Sequence, residues 1–153
     1  MTNNDIIRRL RFTFDFSDQE TISIFELGGE LVTREQISNW LKKEEDPDYV
    51  NLTDKMLAVF LNGLIIKNRG AKDGITPAPE KKLNNNLIFR KLKIAFNYKD
   101  EDVLQVLVLA NFHFGKHELS AFFRKPGHDK YRECKDQILR NFLHGLQLKH
   151  KPK

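Results

Sequence analysis

The sequence predicts an all-α protein of about eight helices, arranged as two tandem four-helix units related by a pseudo-two-fold. Three observations lead there. The chain repeats itself at a fixed offset, apolar residues recur at helical spacing in both copies, and helix start and stop signals fall at matching places. Sliding the 153-residue chain against itself by 82 positions aligns 3–67 with 85–149 without a gap, giving 18 identities over 65 positions. Asn3, Asn4, Ile6, Arg8, Leu10 and Phe14 meet Asn85, Asn86, Ile88, Arg90, Leu92 and Phe96. Near the other end, Leu57, Phe60, Leu61, Gly63, Leu64 and Lys67 meet Leu139, Phe142, Leu143, Gly145, Leu146 and Lys149. The first repeat is therefore 1–67 and the second 85–149. Between them, 68–84 carries Arg69-Gly70, Asp73-Gly74 and Thr76-Pro77-Ala78-Pro79, turn and helix-breaking chemistry that reads as a linker. Residues 150–153 form a basic tail.

The first segment of each repeat is the ambiguous one. Leu10, Phe12, Phe14 and Phe16 alternate with polar residues as a strand would, whereas Ile6, Ile7, Leu10 and Phe14 follow helical spacing. The second copy favours helix, because Ile88, Phe89, Leu92, Ala95 and Phe96 make a fuller stripe; Asn3 or Asn4, and Asn85 or Asn86, are the expected caps. A second helix starts at Ser17 or Asp18 and stops at Gly28-Gly29. Its counterpart, Asp100 to Ala110, is apolar nearly all round and is expected to be buried. Thr33-x-x-Gln36 is a capping box opening a third helix that buries Ile37, Trp40 and Leu41. The fourth starts near Thr53 and ends at Asn68 or Gly70. Gly63 and Gly145 sit at one place inside that last helix, where glycine costs about 1 kcal/mol relative to alanine. Close approach of another helix is the expected reason; simple inheritance through duplication is the alternative.

Composition excludes several classes. With 40% hydrophobic residues and 12 Phe the chain can fill a core, so it is not disordered. The densest apolar run, Val103 to Ala110, is too short to span a membrane, and the N-terminus lacks signal-peptide design. A lone cysteine, Cys134, fits a reducing cytoplasm. The formal net charge of +5 is unevenly spread, since 3–67 carries 8 basic and 12 acidic residues while 85–149 carries 12 and 7. Attraction between the repeats, or drift of surface charge, explains this at least as well as an anionic partner for the second repeat.

Candidate sites follow from residue type. Ile22 to Gly29, a turn, and Thr33 to Leu41 resemble the helix-turn-helix of phage-repressor-type DNA readers, with Arg34, Gln36 and Asn39 suited to base edges and Lys42 and Lys43 to phosphates. The second copy offers Lys116, Ser120, Arg124 and Lys125, with His117 beside them. The turn is longer than the motif's, Glu35, Glu44, Glu45, Asp46 and Asp48 oppose an anion, and an ordinary amphipathic helix pair accounts for the pattern. His113 and His117 are four apart, but Gly115 between them marks a helix start and no ligand set completes a metal site. Cys134 reads as a packing residue, because no base is placed to hold a thiolate. Walker spacing is missing around both linker glycines. Arg8 with Asp54, and Arg90 with Asp136, recur in both copies; they either bridge the first and last helices of each unit or serve separate exposed roles.

Three stretches carry a family resemblance: Asn84-Asn85-Asn86 through Arg90-Lys91-Leu92-Lys93-Ile94-Ala95-Phe96, Phe60-Leu61-Asn62-Gly63-Leu64-Ile65, and Arg132-Glu133-Cys134 with Asp136-Gln137 and Leu139-Arg140. On these the chain resembles the YehS-like family, bacterial proteins built from a duplicated domain of unknown function. That resemblance implies a soluble helical protein and brings no catalytic residues, cofactor or metal. The expected function is a non-enzymatic binding or regulatory module contacting a protein partner or itself, with DNA or RNA as the alternative ligand and no membrane.

Overall fold

The structure is a computed structural model that describes residues 1–151. The first repeat contains α1 (Asn3–Phe14), α2 (Asp18–Leu27), α3 (Arg34–Leu41) and α4 (Asp54–Arg69). After a single 3-10 turn at Lys72–Gly74 the second contains α5 (Asn85–Ala95), α6 (Asp100–Leu109), α7 (Lys116–Ala121) and α8 (Asp136–His150). Every helix of the second repeat starts 82 residues after its counterpart, and the ambiguous first segment is helical in both copies. Among the described residues there is no strand.

Local chemistry explains the boundaries, with some corrections. Ser17 with Glu20 and Thr33 with Gln36 form reciprocal capping boxes at α2 and α3. The second repeat keeps half of each device: the side chains of Asp102 and Glu118 accept from the Lys99 and Gly115 amides. The caps of α1 and α5 are Thr2 and Asn84, one residue earlier than expected, which places Asn3, Asn4, Asn85 and Asn86 inside the first turn. Helix α4 continues through Arg69, so the linker begins at Gly70, and α8 takes in His150 from the expected tail. Pro152 and Lys153 of that tail lie outside the described residues. Helix α6 buries Val103, Val106 and Leu107 but exposes Val108 and Leu109, so it is amphipathic rather than wholly buried.

Asn4 and Asn86 explain why the asparagine pairs recur. The Asn4 amide donates to the carbonyls of Trp40 and Val50, each at 2.9 Å, and accepts from the Leu52 amide at 3.0 Å. Asn86 repeats this on Phe122, Arg132 and Cys134. One buried side chain thus ties the first helix to the end of the third and to the segment leading into the fourth. Beside it, Asn3 donates to Leu52 and Asp54, and Asn85 to Cys134 and Asp136.

The glycines mark the closest helix contacts. A Cβ on Gly63 would overlap the Ile24 carbonyl oxygen of α2, and one on Gly145 the Val106 carbonyl oxygen of α6. Ile24 and Val106 are themselves equivalent, so both repeats bring their second and fourth helices together backbone to backbone. Around these contacts pack Phe25 with Trp40 and Phe60, and Phe89 with Phe122 and Phe142.

The repeats join through α4 against α5 and, by the same operation, α8 against α1. Equivalent rings Phe14 and Phe96 stack on the pseudo-dyad with centroids 5.0 Å apart. Flanking contacts come in pairs: Lys67 lies over Phe16 and Lys149 over Tyr98, while Arg69 donates to the Ile94 carbonyl and Lys151 to that of Phe12. His150 lies 4.8 Å from the Phe14 ring, centroid to centroid, where the first repeat has Asn68 donating to Ala95. Partial burial, helped by the Lys149 charge, lowers the His150 pKa from its ordinary value.

Three outcomes follow. Gly63→Ala and Gly145→Ala should each lower stability by about 2 kcal/mol in urea unfolding, although alanine is the better helix former. Asn86→Asp keeps the shape but loses both donors and sets a carboxylate against two carbonyls; a loss of about 3 kcal/mol is expected by the same measurement. Because the folded pKa of His150 is lowered, its neutral form belongs to the folded state. Its contribution is intact above the unfolded value of about 6.5 and is lost as pH falls from there through the folded value. Melting temperatures measured from pH 8 to 5 should fall less in His150→Asn than in the parent.

Candidate functional site

Two grooves are generated by the pseudo-dyad, one between α4 and α5 and the other between α8 and α1. The chain's own linker covers part of the first, with its residues 71–78 exposed. It runs back along α4, with Ile75 and Pro77 near Ile65 and Ile66, and Thr76 against Gly29. Glu80 then forms an ion pair with Lys91 at 3.0 Å, and the Leu83 amide donates to Asp54. Lys91 is only 9% exposed and also donates to Asn62 at 2.7 Å. A charge this buried needs a partner, and the linker supplies it.

Nothing of the described chain lies in the second groove. It has a volume of about 420 Å³ and is bounded by Met1, Asp5, Arg8, Arg9 and Phe12 on one side and by Arg140, Leu143 and Gln147 on the other. Arg8 is engaged, bonding to the Leu41 and Lys42 carbonyls and pairing with Asp5 at 3.1 Å. Burial raises the Asp5 carboxyl, but bonds from Thr2 and the Arg8 charge outweigh this and hold it below the ordinary carboxylate range. The Met1 amine meets Asp136 at 2.9 Å, as the equivalent Leu83 amide meets Asp54. Bonds from Asn85 and this amine keep the Asp136 carboxyl low. With both acids so occupied, Arg9 and Arg140 have no hydrogen-bond or ion-pair partner among the described residues. Arg9 is the equivalent of Lys91, and Arg140 replaces Ala58. Phe12 stands 52% exposed at the rim.

The residues suited to nucleic acid are placed elsewhere. In α3, Gln36 spends its amide oxygen on the Thr33 amide, and Asn39 and Ser38 both accept from Lys42; Arg34 and Lys43 are exposed. Helix α7 has six residues. There Lys116 pairs with Glu101 at 2.9 Å, Ser120 donates to carbonyls of its own helix, and Arg124 and Lys125 lie exposed in the following loop. His113 falls in the turn before α7. The bridging alternative for the recurrent charges is not realised: Arg8 pairs with Asp5 and Asp54 with Asn3 and Leu83, while Asp136 takes Asn85 and Met1, leaving Arg90 exposed. The Arg8 guanidinium closes the end of α3 instead. Cys134 occupies the place of Leu52, and burial, then the Asp136 charge, pushes its thiol up to about 12, so it is a protonated packing group at neutral pH. No sequence motif marks Arg9 and Arg140 as a site. Their signal lay in the internal alignment, where a basic residue recurs at 9 and 91 and an alanine turns into an arginine at 140.

With this geometry described, comparison with known proteins adds the lineage. The family described as "Protein of unknown function (DUF1456)" matches residues 3–70 and again 85–151, the two structural repeats. The chain is 42% identical over 148 residues to the "Uncharacterized protein YehS" of Escherichia coli (strain K12), covering 95% of this chain and 94% of that one. No solved structure matches. The chain belongs to this duplicated family of unknown function.

Proposed function

We propose that this family member is a non-enzymatic binding module of the cytoplasm whose groove between α8 and α1 receives a segment of a protein partner. The observation that carries the reading is the asymmetry of the two grooves. In one the chain's own linker sets Glu80 on Lys91, and the other stays open, with two guanidinium groups and apolar wall residues. A groove with apolar walls and a few convergent polar groups is the usual form of a recognition site. Cytoplasmic placement rests on the single, buried, reduced cysteine; no described helix is long and apolar enough to cross a membrane.

Nucleic acid is the competing ligand, resting on the exposed Arg34, Lys43, Arg124 and Lys125. Two experiments separate the readings. Tagged full-length protein should retain a partner that the Arg9→Ala/Arg140→Ala variant loses while melting at an unchanged temperature. Titration with duplex DNA, single strands and RNA from low to physiological salt should show no tight binding. Affinity that falls steeply with salt and survives the groove substitutions would favour nucleic acid instead. Partner retention unaffected by the double substitution would reject the groove.

A further inference from the structure

We propose that the open groove recognises an extended, proline-containing acidic segment, laid antiparallel to α8 with a carboxylate against Arg9 and Arg140. The inference rests on the binding-module reading above and adds the chemistry and direction of the occupant. Its warrant is internal to the chain. The pseudo-dyad that carries α4 and α5 onto α8 and α1 also carries the linker path onto the open groove. Along that path the linker has neither helix nor strand, begins extended at Ile75, contains Pro77 and Pro79, and ends its passage with Glu80 on Lys91.

Carried across, the Glu80 carboxylate falls at Arg9, which stands where Lys91 does. Arg140, in place of Ala58, lies one helical turn from His144, the equivalent of Asn62. The second cation therefore flanks the position where a carboxylate would sit. Ile65 and Ile66, which line a cavity together with Ile75 and Pro77, become Gln147 and Leu148, so the far end of the groove accepts a half-polar residue. Guanidinium suits this role better than ammonium, because its planar fork can hold both oxygens of a carboxylate. The groove's own acids have their bonds taken, Asp5 by Arg8 and Thr2, and Asp136 by Asn85 and Met1, with Arg140 acting on Asp136 through charge alone.

The probe is a capped hexapeptide copying residues 75–80, Ile-Thr-Pro-Ala-Pro-Glu, added to isotope-labelled full-length protein and followed by NMR. Expected are shifts at Arg9, Leu143 and Gln147 with saturable dependence on concentration. Replacing the peptide's Glu by Gln should weaken binding at least about tenfold, the scale of a charge-assisted pair. Arg9→Ala should do the same, and Arg9→Lys, which restores the Lys91 arrangement, should recover most of it. A nitroxide on the peptide's N-terminus should broaden Gln147 and Leu148 more than Arg9. Equal binding of the Gln peptide overturns the acidic requirement, and broadening centred on Arg9 overturns the direction. Equal shifts from acetate alone show a small-anion site and reject the extended segment. Shifts confined to Asn62, Ile65 and Lys91 show displacement of the linker and reject the open groove as the site. If the peptide leaves the α8–α1 groove unperturbed while partner retention still depends on Arg9 and Arg140, the module reading stands and this inference fails.

Discussion

The buried asparagine at the second position of α1 and α5 is the constraint on which each repeat depends. Helices α3 and α7 have eight and six residues, too short to persist alone in water. Long irregular segments follow both. Asn4 and Asn86 convert that weakness into a fixed geometry, because one amide satisfies a buried carbonyl, a buried N–H and a second, part-buried carbonyl. The first helix thereby sets where the third ends and where the fourth begins. Arg8 adds to this by capping the last carbonyls of α3, which fixes the outer face of α1 on which Arg9 is carried.

Duplication imposes a second constraint, and the open groove follows from it. Two repeats packed about a pseudo-dyad create two equivalent interfaces, but one chain has only one linker to cover them. The contacts on the dyad itself obey the symmetry closely: Phe14 on Phe96, Lys67 and Lys149 over rings, Arg69 and Lys151 on carbonyls. Along the linker path, by contrast, Ala58, Ile65 and Lys91 stand opposite Arg140, Gln147 and Arg9.

Much of this was legible in the sequence. The offset of 82, the helix start at Ser17, the capping box at Thr33, and the glycines at 63 and 145 each depend on local chemistry or on self-comparison, which one chain suffices to show. Asn3 and Asn4 were noticed but assigned to capping, since cap chemistry is local while their real partners lie about 36 to 51 residues away. The recurrent charges misled for a related reason: recurrence of Arg8 and Asp54 shows that each matters twice, not that they meet. Arg9 belongs to no motif, and Arg140, though inside a stretch that carries the family resemblance, has no neighbour in sequence that marks it as part of a site. Only the path of the linker, a tertiary fact, gives those two positions meaning.

The chemistry of the uncovered groove argues against its being a vacated linker site merely adapted to water. Solvation would be served by side chains of either sign. Yet the substitutions that distinguish this groove from its covered twin bring in arginine, opposite an arginine, with the nearby carboxylates already paired. Two like charges facing one groove repel at a cost that grows as the groove is shielded from water. An anionic occupant removes that repulsion and gains from both charges, as Glu80 does for Lys91. Phe12, left half exposed at the rim, gains cover from the same occupant, so electrostatics and apolar burial favour filling the groove together.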